Sequence, residues 1–273
     1  MNRVDVVALA RSLSERDLMM LRTLRAHRLA TTTQLQRWHY PHGETQVIGN
    51  SGTALRLTQR ALRRLARHDL VSKLHQRIGG VRRGSDSTVW QLGATGDRLL
   101  STLDAQRRRR YVEPGTTFIT HTVAVTELAV QLVEAQHLGK LDHVDLTGEP
   151  RNWRRFNGLH GRVETLKPDL HAVTFSDDYE DHWMCERDLS TEHPSVVVRQ
   201  AHIYERYAAT GDYQRTHGIL PAVLWIVNDP DRQQALSRAL TGARGLTPGL
   251  HRVVLGKDFL TTVLAGNTTP ADL

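Results

Sequence analysis

The segment that most constrains this chain is TALRLTQRALRRLARHD, beginning just after Gly52. At about 100° per residue on an α-helix, Arg56, Arg60, Arg63, Arg64 and Arg67 fall within an arc of roughly 100°. Leu55, Leu62, Leu65, Ala54 and Ala61 occupy the other side. Such a helix must bury its apolar side against other elements, and its cationic side then faces a polyanion or solvent.

The flanking sequence favours the polyanion. Upstream, Ser14 with Asp17 three residues on forms a helix start, and Leu18, Leu21, Leu24 and Leu29 continue it at near-helical spacing to about residue 28. Thr31, Thr32 and Thr33 read as a polar stop and restart before a short helix, TQLQRWHY, that ends near Pro41. The arginine helix is then third in a three-helix pattern, where a recognition helix belongs. Downstream, LVSKLHQR and TVWQLGATG are short strands around the glycine-rich basic tip IGGVRRGSDS. This is the pattern of a wing, with Lys73, Arg77, Arg82 and Arg83 on or beside it, placed to reach a phosphate track or minor groove. Trp90 and Leu92 alternate inward on the return strand. The expected first domain is a DNA-binding winged helix over residues 1–105, followed by a basic linker over 106–118 that contains Arg107 to Arg110.

Charge divides in the same way. Residues 1–110 hold 21 Lys+Arg against 8 Asp+Glu, a net of +13, whereas the remainder hold 15 against 21, a net of −6. A polyanion-binding module joined to a different kind of domain is expected, with double-stranded DNA as partner. No apolar run is long enough to span a bilayer, so no membrane partner and a cytoplasmic location are expected. Cys185 is the only cysteine, which excludes an intramolecular disulfide or thiolate zinc cluster, and it reads as a buried strand residue. No glycine-rich loop ending in Lys-Ser or Lys-Thr is present, so ATP use is not indicated.

In residues 119–273 a helix from about His121 to His137 is followed by strands at LDHVDLTG, RVETLKPDLHAVTF and HWMCERDLS. A helix at SVVVRQAHIYERYAATG, a strand AVLWIVND, a helix DRQQALSRALTG and a strand HRVVLG complete the pattern. The order implies a mixed sheet flanked by helices. Trp183, Val173, Phe175, Leu224 and Ile226 supply alternating core positions. Tyr204, Tyr207 and Tyr213 read as packing residues rather than nucleophiles, and His121 as a helix-start residue. Asp169 precedes one strand and Glu186 lies on the strand that returns beside it, so two carboxylates can meet at one divalent cation, with Glu127 as a further oxygen ligand.

This arrangement resembles the PD-(D/E)XK nuclease superfamily, and the whole chain looks like the replication-relaxation family of actinobacterial plasmids and integrative elements. The likeness rests on VWQLGATG, HTVAVTEL, KPDLHAVTF, CERDLSTE and the HIYERY helix. It implies an α+β chain: an N-terminal winged helix-turn-helix followed by an α/β nuclease-like domain with a mixed central sheet. It further implies DNA processing in plasmid replication, relaxation or conjugative transfer, with Mg²⁺ or Mn²⁺ at Asp169, Glu186 and Glu127. The chain departs from the superfamily where a lysine is wanted after the second acid, because that slot holds Asp188. Arg199 and Gln200 stand where related chains carry a lysine on the next helix, and Lys167, read on the same strand face as Asp169, is the remaining candidate cation. Two readings therefore stand. One is a metal-dependent endonuclease or relaxase-like enzyme brought to DNA by the winged helix. The other is a non-catalytic DNA-binding accessory factor or transcriptional regulator, whose degenerate second domain forms a homodimer or binds conjugation or replication proteins.

Overall fold

The computed structural model describes residues 6–43, 46, 48–74, 78–79, 86–105, 114–158, 161–177, 179–190 and 192–267. The chain divides into two compact units, Met1–Val130 and Gln131–Leu273. Of the segment expected as a linker, residues 106–113 lie outside the described residues, and 114–118 lead into a helix.

The first unit comprises α1 (Val6–Ser12), α2 (Glu15–His27), β1 (Leu29–Thr31), α3 (Thr32–His39), α4 (Ser51–Arg67), β2 (Val71–Lys73), β3 (Ile78–Gly79), β4 (Asp86–Ser87), β5 (Val89–Leu92), α5 (Ala94–Leu103) and the first part of α6 (Thr116–His137). Helix α2 begins at a capping box in which the Ser14 side chain accepts from the Asp17 amide and Asp17 accepts from the Ser14 amide. Thr31 and Gln34 repeat the device at the start of α3. Of the expected polar stop and restart, Thr31 caps α3 and Thr32 and Thr33 begin it, while Leu29, read as the last residue of the first helical repeat, opens a short strand, β1, that ends at Thr31. Arg28 ends α2 with φ 68°, Thr31 is already extended as the next cap, and the short stretch between them pairs antiparallel with β5. The sheet runs β1-β5-β2. A helix, a strand, two helices, a strand, a hairpin and a return strand follow one another here, the element order expected of the first domain from its sequence.

Its core gathers Met20, Leu21, Leu24, Leu35, Ala54, Ala61, Leu62, Leu65, Leu92 and Leu99. The LGATG segment is built for close approach: a Cβ at Gly96 would lie 2.1 Å from the Leu70 carbonyl oxygen, and one at Gly93 would lie 2.2 Å from that of Asp69. Any side chain there would push α5 off the turn that follows α4.

The second unit contains the rest of α6, then β6 (His143–Gly148), β7 (Arg154–Asn157), β8 (Val163–Leu166), β9 (Leu170–Ser176), β10 (Tyr179–Arg187), α7 (Pro194–Ala209), α8 (Asp212–His217), β11 (Ala222–Val227), α9 (Pro230–Gly242), β12 (His251–Leu255) and α10 (Phe259–Leu264). Five strands form one mixed sheet in the order β12-β11-β10-β9-β6. β9 pairs antiparallel with both β6 and β10, whereas β10, β11 and β12 run parallel through helical crossovers. β11 is buried along its whole length, as a central parallel strand should be.

One expected strand is broken in two. RVETLKPDLHAVTF divides at Lys167-Pro168-Asp169 into β8, which pairs with β7 in a separate hairpin, and β9, which joins the main sheet. Pro168 has no amide hydrogen to give to a ladder and so marks the change of sheet. Helix α6 starts at Thr116, which puts His121 inside it rather than at its start. It is long and apolar enough by composition to cross a membrane. Here, however, Leu128, Ala129, Val130, Leu132, Val133 and Ala135 are buried within the protein.

Candidate nucleic-acid interface and acidic row

Helix α4 starts at Asn50, whose side chain accepts from the Thr53 amide at 2.8 Å. Its buried side is Ala54, Thr58, Ala61, Leu62 and Leu65, and Leu55 is half-buried. Arg56, Arg60, Arg63, Arg64 and Arg67 are all exposed. They are not equivalent. Arg64 makes 2.6 and 2.7 Å bonds to both oxygens of the buried Asp17, the residue that closes the α2 capping box. Arg56 donates to Thr53 Oγ1 and Arg63 to the Gln59 carbonyl, each on its own helix. Arg60 and Arg67 make no hydrogen bond or ion pair with any described residue. Arg56, Arg60, Arg63 and Arg67, spaced i, i+4, i+7 and i+11, thus form a stripe that no carboxylate of the described residues neutralises. Lys73 is exposed at the end of β2. Arg77, Arg82 and Arg83 lie outside the described residues, although β3 and β4, which pair on either side of the tip, are described.

Glu127, expected to assist a metal, is held in the first unit. Its carboxylate accepts from Arg37 Nη1 at 2.5 Å and from Gln34 Nε2 at 3.0 Å. The same Gln34 amide donates to the Val123 carbonyl at 2.9 Å, while Gln34 Oε1 closes the α3 capping box. Glu127 and Gln34 therefore fasten α3 to α6.

In the second unit the sheet register sets the acids in a row. The last registered pairs are Gly148 with Leu170 and Leu170 with Cys185; one residue further on come Glu149 just past β6, Asp169 just before β9 and Glu186 on β10, and the charges of Asp169 and Glu149 both act on Glu186. Asp169 Oδ2 accepts from the Arg187 amide at 2.7 Å. Glu186 is 6% exposed, and Tyr204 on α7 donates its hydroxyl hydrogen to Oε1. Burial and the neighbouring Asp169 charge push the Glu186 carboxyl well above the usual carboxylate range. Hydrogen bonds from Tyr204 and Gln200 oppose that rise, and Glu149 adds to it. Burial, with Glu186 beside it, raises Tyr204 as well, so its phenol stays protonated as a donor. Two neighbouring carboxyls can relieve their repulsion by keeping a proton or by taking up a divalent ion.

The candidate cations stand elsewhere. Lys167 does not share a strand with Asp169; it ends the β7–β8 hairpin, and its Nζ lies 4.4 Å from the centre of the Trp153 ring. Asp188 falls just past β10 and accepts from Arg232 at 3.1 and 2.5 Å. Among the described residues no three His, Cys, Asp or Glu side chains are grouped to hold one metal ion. Asp169 and Glu186 are brought together; Lys167 and Glu127 each have another partner.

Sequence reasoning missed Glu149, because its place in the row depends on which strands pair. It also missed a polar cluster beneath α8. The Tyr213 hydroxyl lies 2.8 Å from His171 Nε2 and bonds His182 Nδ1, while His182 Nε2 meets Glu180 at 2.6 Å. With Nε2–H of His182 given to Glu180, Nδ1 must accept from Tyr213, and the phenol oxygen accepts from His171. Tyr204, Tyr207 and Tyr213 are buried as expected. So is Cys185, whose thiol burial pushes far up.

No curated protein and no solved structure is similar to this chain. The family model described as Replication-relaxation matches residues 21–223, from within α2 to the start of β11. The match takes in the helix–strand–helix–helix unit, the arginine helix and the acidic row alike, and the chain belongs to the replication-relaxation family.

Proposed function

We propose that this protein binds double-stranded DNA through α4 and the adjoining wing, in the replication, relaxation or transfer of a plasmid or other mobile element. The carrying observation is the exposed Arg56, Arg60, Arg63 and Arg67 stripe on the third helix of a winged helix-turn-helix, unneutralised by any described acid. Asp169 and Glu186 are the proposed centre of any phosphodiester chemistry. The donor set fits a hard cation: two neighbouring carboxylates, with the buried Asn152 amide donating to the Pro168 carbonyl at 2.6 Å and its own oxygen without a hydrogen-bond partner among the described residues. When bound there, Mg²⁺ or Mn²⁺ would activate water and offset phosphate charge. Tyr204 holds Glu186 in place, and the Arg187 amide holds Asp169.

The non-catalytic reading has an observation of its own. The superfamily's lysine slot holds Asp188, tied to Arg232, and Gln200, which bonds Glu186, is a neutral amide where related chains carry a lysine. The two readings separate in a nicking assay on supercoiled cognate plasmid with Mg²⁺ or Mn²⁺, comparing the wild type with Asp169→Ala and Glu186→Ala and with a chelator. Metal-dependent nicking lost in both variants supports the enzyme. Nicking retained in both removes these acids from the site, and no nicking by the wild type leaves the DNA-binding accessory factor.

A further inference from the structure

The second unit is acidic overall, yet its cations are concentrated in one place. Arg151, Arg154, Arg155, Arg162 and Lys167 lie between residues 151 and 167 against the single acid Glu164. That stretch is the β7–β8 hairpin, inserted between β6 and β9.

The hairpin is a fixed platform. On its inner side Phe156 and Leu166 are buried in the core with Tyr204, Tyr207 and Val223, and the Phe156 and Tyr207 rings lie 5.4 Å apart. Glu164, also on that side, receives Arg206 of α7 through bonds of 2.9, 3.1 and 2.5 Å. The only acid is thereby neutralised from within the fold, and side chains of alternate parity face outward. Arg155, opposite Thr165, is exposed on that outer side, and Arg162 is exposed just before β8. Neither has an ion-pair partner among the described residues. At the root of the hairpin Trp153 is 38% exposed. Its indole is locked, since Nε1 donates to Glu149 at 3.1 Å and the Lys167 ammonium lies over the ring.

We propose that this hairpin is a second nucleic-acid site, binding single-stranded DNA by stacking an unpaired base on Trp153 and by phosphate contacts from Arg155 and Arg162. Arginines alone would suit a duplex equally well. An immobilised, solvent-exposed indole is what a duplex cannot use, because its bases are already stacked, whereas base stacking on an aromatic ring is the usual anchor of a single strand. The site adjoins the acidic row through Glu149, so a strand held there passes beside Asp169 and Glu186. Its existence does not depend on whether those acids cut.

The test uses the full chain with Arg60, Arg63 and Arg67 replaced by alanine, so that α4 contributes little. The probes are fluorescein-labelled oligo(dT) and a duplex of equal length, read by anisotropy over a salt series. Oligo(dT) binding should persist in this background. Adding Arg155→Ala and Arg162→Ala should weaken it at least tenfold and lower the salt slope by about 1.4, two contacts at about 0.7 each on a single strand. Trp153→Ala should weaken it about fivefold or more, and Trp153→Phe should restore most of the loss. An unchanged circular-dichroism melt for each variant excludes misfolding. Oligo(dT) binding indifferent to all the hairpin substitutions, or equal loss of duplex and single-strand binding in the α4 background, overturns the proposal. Failure of α4 as duplex reader shows separately, as unaltered duplex binding by the Arg60, Arg63 and Arg67 variant.

Discussion

The arginine stripe of α4 and the acidic row of the second unit are both clusters of like charge, but the protein treats them in opposite ways. The arginines stand on the solvent side of one helix at spacings set by helical periodicity, and water screens their mutual repulsion. The acids come from the ends of three strands, with Glu186 buried and Asp169 and Glu149 half-buried beside it, and are stabilised by Tyr204, Gln200 and the Arg187 amide. A charge cluster left in water is free to meet a large partner. One withdrawn from water must be compensated by the fold or by a small ion that enters it. The contrast predicts salt-sensitive binding for the first region and proton- or metal-sensitive behaviour for the second.

The largest effect should come from removing the stripe. Replacing Arg60, Arg63 and Arg67 with alanine should lower duplex affinity at least ~100-fold at low salt and reduce the log–log salt slope by nearly 3, about 0.9 per phosphate contact. Anisotropy on one duplex across a salt series checks both. An unchanged slope would make the stripe a solvated helix face.

The same contrast explains what could be read from sequence. The arginine face, its apolar back and both capping boxes repeat at spacings within one helix, so α2, α3 and α4 are legible locally. β1 was not, because its three residues are strand only through their pairing with β5. In the second unit the alternating core of Trp183, Val173, Leu224 and Ile226 was legible, although Phe175, expected with them, is only half-buried near the end of β9, and so was the nearness of Asp169 to Glu186 across a hairpin. Glu149 enters the row through a strand far away in sequence, and Lys167 leaves it because Pro168 switches sheets. Neither event has a local signature. Glu127 illustrates the limit from the other side, since a carboxylate one helix upstream of an acid pair reads as a ligand until Arg37 and Gln34 are seen to hold it.

Protons should act on the second unit at two places, with opposite signs. His171 sits beneath α8, facing His182 and His217, with Tyr213, Arg154 and Glu180 around them. Burial, aided by Arg154 and the other two imidazoles, pushes it down to about 4 from 6.5. Its neutral form is the one that folds, so its contribution is complete above pH 6.5 and is lost as pH falls toward 4, roughly 3 kcal/mol in all. Calorimetry of the full chain should show this loss, and His171→Gln, which can still donate to Tyr213, should flatten it. An acid transition equally steep in the variant would exclude the cluster as its source.

Glu186 works in the other direction. Its folded-state proton affinity is raised, so its contribution is complete below pH about 4.5, where the unfolded carboxyl is protonated too, and is lost as pH rises toward the higher folded-state value. In the presence of a chelator, Glu186→Gln should therefore be more stable than the wild type at pH 8, on the order of 1–2 kcal/mol. Added Mg²⁺ should close that gap by stabilising the wild type alone. If Mg²⁺ raises the melting temperature of both equally, the ion binds elsewhere.

The smallest expected effect on DNA tests the comparison inside the stripe itself. Arg64 lies on the same helix side as Arg60 and Arg63, yet its guanidinium is committed to Asp17, whose carboxylate also receives the Ser14 amide and hydroxyl. A phosphate competing for Arg64 would leave Asp17 buried beside fewer donors, a cost that Arg60 does not face. Arg64→Ala should thus leave the salt slope within about 0.3 of the wild type while lowering the melting temperature, since it removes the tie between α4 and the start of α2. Arg60→Ala should do the reverse, shifting the slope by about 0.9 at unchanged stability. If Arg64→Ala moves the slope as far as Arg60→Ala does, Asp17 does not hold Arg64 out of the interface, and the stripe contains five readers instead of four.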